Sequence, residues 1–153
     1  MEEKERKKII LAALNEAHKA FDSDEVPVGA VIFNTKTGAI LCKAHNAVEK
    51  HRNPLSHAEM QVIEKSIKKI NDKFLGGYSI FVTLEPCTMC AGAIAWARLD
   101  GLYYGASDPK TGAIEQGTKV FTHSQTHHKL KIDKWPNLEC GALMTQFFKR
   151  KRQ

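Results

Sequence analysis

The chain has 153 residues, 42% of them hydrophobic and 26% charged, which fits one globular domain spanning 1–153 and excludes neither an enzyme nor a binding module. No apolar run approaches the roughly 18 residues of a membrane span, and Met1-Glu2-Glu3-Lys4-Glu5-Arg6 reads as a charged lead into an amphipathic helix, so no membrane partner and a cytoplasmic location are expected. The net charge of +6 is uneven: residues 1–108 carry 14 Lys/Arg against 14 Asp/Glu, residues 109–153 carry 9 against 3, and such a basic end suits an anionic partner, usually nucleic acid, or is simply a solvated terminus.

Residues 4–21 read as a helix, with Ile10, Leu14, Ala17 and Phe21 on one face. Asp22 to Glu25 breaks it. The β-branched run Val26–Phe33 predicts a strand, Asn34–Gly38 a turn and Ala39–Asn46 a second strand, together a hairpin. Ala47–Ser56 is polar, contains Asn53-Pro54 and reads as a loop. Ser56 suits the cap of the next helix, with Glu59 at the third helical position in a capping-box pattern. Ile63, Ile67 and Ile70 mark that helix's buried face.

Tyr78–Leu84 reads as a buried strand. Pro86 opens a helix at Cys87, whose small apolar stretch Ala91–Arg98 suits close packing. Gly101–Gly105 is a short strand. Ala106 to about Asn137 is irregular and shows no clear strand. Leu138–Lys151 predicts a final helix ending in basic residues. A hairpin followed by helix–strand alternation predicts an α/β fold of three layers, α/β/α, with a central mixed β-sheet.

Two short stretches carry chemistry when read together: His57-Ala58-Glu59 and Pro86-Cys87-Thr88-Met89-Cys90. A catalytic zinc takes three protein N and S ligands and leaves a fourth position open. His57, Cys87 and Cys90 form such a set. Glu59, two residues from the His, is placed to move protons at the open position. The bland reading of Glu59 is the capping box, and a lone Cys-x-x-Cys could be a redox pair. Thiols in a reducing compartment read as metal or structural groups before disulfides. Cys42 and Cys140 read as small buried hydrophobes.

In this order, with Pro before the first Cys, the pair of motifs is identified as the zinc nucleobase-deaminase signature. Beyond it, the chain resembles the bacterial tRNA adenosine deaminases, within the cytidine deaminase-like fold. The resemblance runs from about residue 10 to the end. It is carried by Glu25-Val26-Pro27-Val28-Gly29-Ala30-Val31, His57-Ala58-Glu59, Val82 to Ala93, Tyr104 to Ala113, and the Phe-Phe pair before the basic end. The Gly-Ala-Ser-Asp-Pro-Lys-Thr-Gly-Ala segment points to the tRNA branch. Leu55-Ser56 departs from the small residues of the family pattern. The Trp96-Ala97-Arg98 run is similar to bacterial guanine deaminases, which share fold and zinc motif but act on a free base.

The resemblance implies zinc-dependent conversion of adenosine to inosine at the wobble position of a tRNA anticodon, one Zn2+ per subunit, and a homodimer. It implies Asn46 against the target nucleoside and backbone near Ala58, Leu84 and Pro86 around the base. Asp108 and Lys110 would touch flanking nucleotides, Phe148 would stack near the loop, and Lys149 to Arg152, Arg150 among them, would hold phosphates. Without the family, Asn46 reads equally as a turn residue. Glu85 reads as a structural carboxylate. His18, His45 and His51 read as satisfied or surface side chains, and His127-His128 as contact or surface rather than metal. A free-base deaminase and a non-catalytic zinc-stabilised RNA-binding domain are the competing classes. The second would need a fourth protein ligand, which the sequence does not offer.

Overall fold

Asn34 makes the hairpin turn. Its Oδ1 accepts from the amides of Lys36 and Thr37 at 2.9 and 3.0 Å, and Gly38 takes a φ of 78°. The turn joins Gly29–Asn34 (β1) to Ile40–His45 (β2) as an antiparallel pair. The structure, a computed structural model, describes residues 1–152. β1 starts at Gly29 rather than at the expected Val26. Pro27 has no amide proton to give a sheet, and Val28 N donates back to Val26 O at 2.9 Å. Residues 26–28 therefore leave the sheet, and Val26 and Val28 line the cleft described below.

Tyr78–Leu84 (β3) pairs antiparallel with β1, and Gly101–Ala106 (β4) parallel with β3. Lys131–Lys134 (β5) closes the order β2-β1-β3-β4-β5 by pairing parallel with β4. β5 was hidden in the sequence because it is an edge strand. Only Ile132 is half-buried, so Lys-Ile-Asp-Lys shows no apolar alternation.

Alternation along the central strands divides the core in two. Val31, Phe33, Phe81 and Tyr103 face one side. There they meet Glu3–Asp22 (α1), beside which packs Leu138–Lys151 (α5). Ala30, Ile32, Ile80, Val82 and Leu102 face the other, against Ala58–Ile70 (α3) and Thr88–Trp96 (α4). α1 lies so close to β1 that a Cβ on Gly29 would fall on the Ala13 carbonyl oxygen. Trp135, just past β5, stacks on Tyr103 at 4.3 Å and sits 5.5 Å from Phe81. The expected three layers are present.

Three local expectations need correction. The stretch read as a loop contains a short helix, Val48–His51 (α2). Its first amides find a carboxylate: Glu49 N and Lys50 N donate to Glu25 at 3.0 and 2.7 Å. Ser56 does not cap α3; its Oγ bonds His51 Nδ1 at 3.0 Å, and the N-cap is His57. Glu59 is then the second helical residue, and no capping box forms. On α3 the buried positions are Ala58, Glu59, Val62, Ile63 and Ser66, while Ile67 and Ile70 are only partly covered. Among the described residues, no helix is long and apolar enough to cross a membrane.

Candidate active site

β3 and β4 run parallel and end side by side, with Leu84 opposite Ala106. Sites in α/β sheets form beyond such carboxyl ends, where the chain turns into helices and loops. Here β3 leads through Glu85-Pro86 into α4, which starts at Thr88 with Cys87 as N-cap, one residue later than expected. Across from it α3 starts with His57 as its N-cap. Two helix N-termini thus face one point, and their partial positive charge favours thiolates there.

His57 Nδ1 lies 3.4 Å from Cys90 Sγ and 3.7 Å from Cys87 Sγ. The three donor atoms all lie within 4.8 Å of one another. Zinc–nitrogen and zinc–sulfur bonds of about 2.0 and 2.3 Å in a tetrahedron require an N···S edge of about 3.6 Å. The donor set and its two N···S distances therefore fit a zinc ion. The hydrogen bond with Cys90 comes first in holding the Cys87 thiol down to about 4, aided by His57. The Cys90 thiol, hydrogen-bonded to Cys87 and buried, is pushed far up. The His57 ring is raised, first by its bond to Cys87.

Glu59 follows His57 into the first turn of α3 and is 4% exposed. Burial pushes its carboxyl up to about 7. Glu59, His57 and Cys87 all line an open cleft of about 960 Å³; Cys90 lies buried behind them.

The same cleft gathers most of the other expected site residues: Asn46, Ala58, Leu84, Asp108, Lys110 and Phe148. Pro86 and Arg150 are not in its wall. Asn46 is already engaged, its Nδ2 donating to Val26 O at 3.1 Å and its Oδ1 accepting from Val48 N at 3.2 Å. Asp108 shapes its own turn: Oδ1 accepts from Lys110 N and Thr111 N at 3.1 Å each, and Oδ2 from Thr111 Oγ1 at 2.6 Å. Of the Phe-Phe pair, Phe147 is buried and Phe148 is 42% exposed. Arg150 lies over the Phe21 ring at 4.3 Å and reaches Phe21 O at 3.2 Å.

The sequence reading missed Glu25, Val26, Val28 and Met144 in the cleft wall. The first three lie in the Glu-Val-Pro-Val-Gly-Ala motif, whose Pro27 was the available sign that the chain leaves the sheet there. Of the other histidines, His127 is exposed, and the rest have partners away from the cleft. His18 and His45 meet Glu139 and Glu16 at 3.2 and 3.1 Å, and His128 Nε2 donates to Leu99 O at 2.7 Å.

Residues 4–152 match the family model described as MafB19-like deaminase. The fold and the facing helix starts are thus those of a deaminase. A tRNA-specific adenosine deaminase of Rickettsia felis is 45% identical, over 92% of this chain and 98% of the relative. A solved structure from work on A-to-I editing by tRNA:A34 deaminases at the wobble position superposes with a TM-score of 0.82. It is 40% identical and covers 85% of this chain and 98% of its own. The chain belongs to the family of tRNA-specific adenosine deaminases. A guanine deaminase from Nitrosomonas europaea has a TM-score of 0.80 at 17% identity, over 91% of this chain and 82% of that one, a likeness of fold alone.

Proposed function

We propose that the protein hydrolyses adenosine to inosine at the wobble position of a tRNA anticodon, with one zinc ion held by His57, Cys87 and Cys90. The observation that carries the reading is the buried Glu59 beside three converging donors of metal-ligand type, two of them in the wall of an open cleft. The relatives' activity gives the substrate. Zinc, when bound, supplies a water activated for attack at neutral pH.

The chain's own residues do the rest. Glu59 takes a proton from the attacking water as it adds to C6 of the adenine, and delivers it to N1. The proton of the new C6 hydroxyl then passes by the same carboxyl to the amino group, so that C6=O forms as the C6–N bond breaks and ammonia leaves. Burial suits a carboxyl that must both accept and release a proton near neutrality. Asn46, Ala58 and Leu84 border the base, with Pro86 just behind. Asp108 and Lys110 border the flanking nucleotides, and Phe148 offers a stacking face. An anticodon loop already exposes its bases, which spares the few kcal/mol of extrusion from a duplex.

Homodimer formation and a cytoplasmic location belong to the same proposal. The free-guanine alternative has only the fold and the Trp-Ala-Arg run in its favour. Ammonia release from an adenosine-bearing anticodon stem-loop, free guanine and free cytidine tests the function. Release from the stem-loop alone is expected. Release from guanine alone would replace the proposal with the free-base reading.

A further inference from the structure

Glu85 stands two residues from a metal donor, yet the chemistry above makes no use of it. It is 4% exposed. Its Oε1 accepts from Asp108 N at 3.0 Å, and its Oε2 from Ile114 N and Glu115 N at 2.9 Å each. These three amides lie at the two ends of the loop that carries Asp108 and Lys110 into the cleft. Two backbone bonds tie the same loop to the approach to α4: Glu85 N donates to Ala106 O at 2.8 Å and Ala113 N to Pro86 O at 2.9 Å. Thr88 and Thr118 add a hydroxyl contact at 2.8 Å. Asp108 shapes the turn from inside, and Glu85 fastens it to the sheet.

The seat is specific to a carboxylate. Three N–H groups converge on two oxygens, and a glutamine would turn an NH2 group toward at least one of them. It is also specific to glycine on the far side. A Cβ on Gly112 would lie 2.5 Å from Glu85 Oε2 and 2.6 Å from Asp108 O. With its oxygens engaged by fixed amides, Glu85 serves as an acceptor and not as a second proton carrier.

We propose that Glu85 is a positioning residue for the RNA substrate: it fixes the Asp108–Glu115 loop so that Asp108 and Lys110 face the nucleotides flanking the target. This rests on reading the cleft as a tRNA deaminase site. A loop-positioning role predicts weaker substrate binding with the chemistry spared. The test uses zinc-loaded wild type, Glu85→Gln and Gly112→Ala. The second variant keeps the carboxylate and displaces it from its seat, so it also carries the test where Glu85→Gln fails to fold.

Amide hydrogen exchange at Asp108, Ile114 and Glu115 should quicken by about tenfold or more in both variants, as expected for local opening. Zinc content should match wild type. KM for the stem-loop should rise about tenfold with kcat within about threefold, the signature of lost ground-state and transition-state binding alike. Unchanged exchange overturns the proposal. So does a large fall in kcat at constant KM in Glu85→Gln that Gly112→Ala does not share, since that would place the carboxylate in the reaction itself. A wild type inactive on the stem-loop would overturn the tRNA reading, and the exchange data would still decide whether Glu85 holds the loop.

Discussion

Cys87 and Glu59 lie at the same cleft but should fail differently when changed. If Cys87 holds the proposed zinc, Cys87→Ala should lower zinc content and stability together, because metal affinity in such a site is folding free energy. On the proposed mechanism, Glu59→Gln should keep shape and zinc and lose the group that carries the proton. Its turnover should drop by about 10²–10⁴-fold, the range for a general acid–base group. Metal analysis and single-turnover assays on the two variants check this. A Glu59→Gln protein that loses zinc yet shows normal activity per bound ion would make Glu59 a ligand. The His-x-Glu and Pro-Cys-x-x-Cys stretches were legible in the sequence because metal and proton chemistry demand particular side chains at short spacing. The seats of Glu25 and Glu85 were not. Their partners are backbone amides 23 to 30 positions away, and an amide carries no residue-type signal.

At the scale of elements, strands and helices with a strong apolar period were readable, and β3 and α5 begin and end where expected. Elements whose ends are set by tertiary partners were not: α2 exists on the Glu25 carboxylate, and β5 on pairing with β4. The join between α1 and β2 gives a test of such a tertiary partner. Glu16, on α1, is 4% exposed. It accepts from Lys19 Nζ at 2.7 Å and from His45 Nδ1, on β2, at 3.1 Å. Burial acts to raise its carboxyl, but the two donors outweigh it and hold it below the ordinary 4.5. A depressed folded-state pKa stabilises above the unfolded value and ceases to do so as pH falls through the folded value. Glu16→Gln should therefore cost about 1–2 kcal/mol at neutral pH, typical of a charge-assisted hydrogen bond. That cost should shrink as pH drops below 4.5. Urea unfolding of both proteins across this range measures it; a difference independent of pH would show that the Glu16 charge contributes nothing.

The whole molecule carries its excess charge after residue 108, and the fold brings part of that segment to the cleft, where Phe148 and Lys151 line the wall. Not all of this charge is equally open to phosphate. Lys151 Nζ donates to Asp24 Oδ2 at 2.6 Å, and Arg150 stands 3.4 Å from Asp24 Oδ1. The bond from Lys151 is the first cause holding the Asp24 carboxyl below its ordinary range. Lys149 and Arg152 make no ion pair among the described residues. Each phosphate neutralised steepens the fall of log affinity with log salt by roughly 0.7–0.9. If the C-terminal end of α5 holds RNA, Lys149→Ala with Arg152→Ala should flatten that slope by roughly 1.5, and Lys151→Ala by less than about 0.7. Turnover at saturating stem-loop should stay near wild type in the double variant, since phosphate contacts position a substrate without specifying it. The measurement is tRNA affinity over a salt series for the three proteins. Equal slopes would make these residues a solvated end, and the phosphate-binding surface would then have to be sought among Lys119, Lys129 and Lys131, since Lys134 already donates to Ser107 Oγ at 2.7 Å and stands 3.9 Å from Glu115.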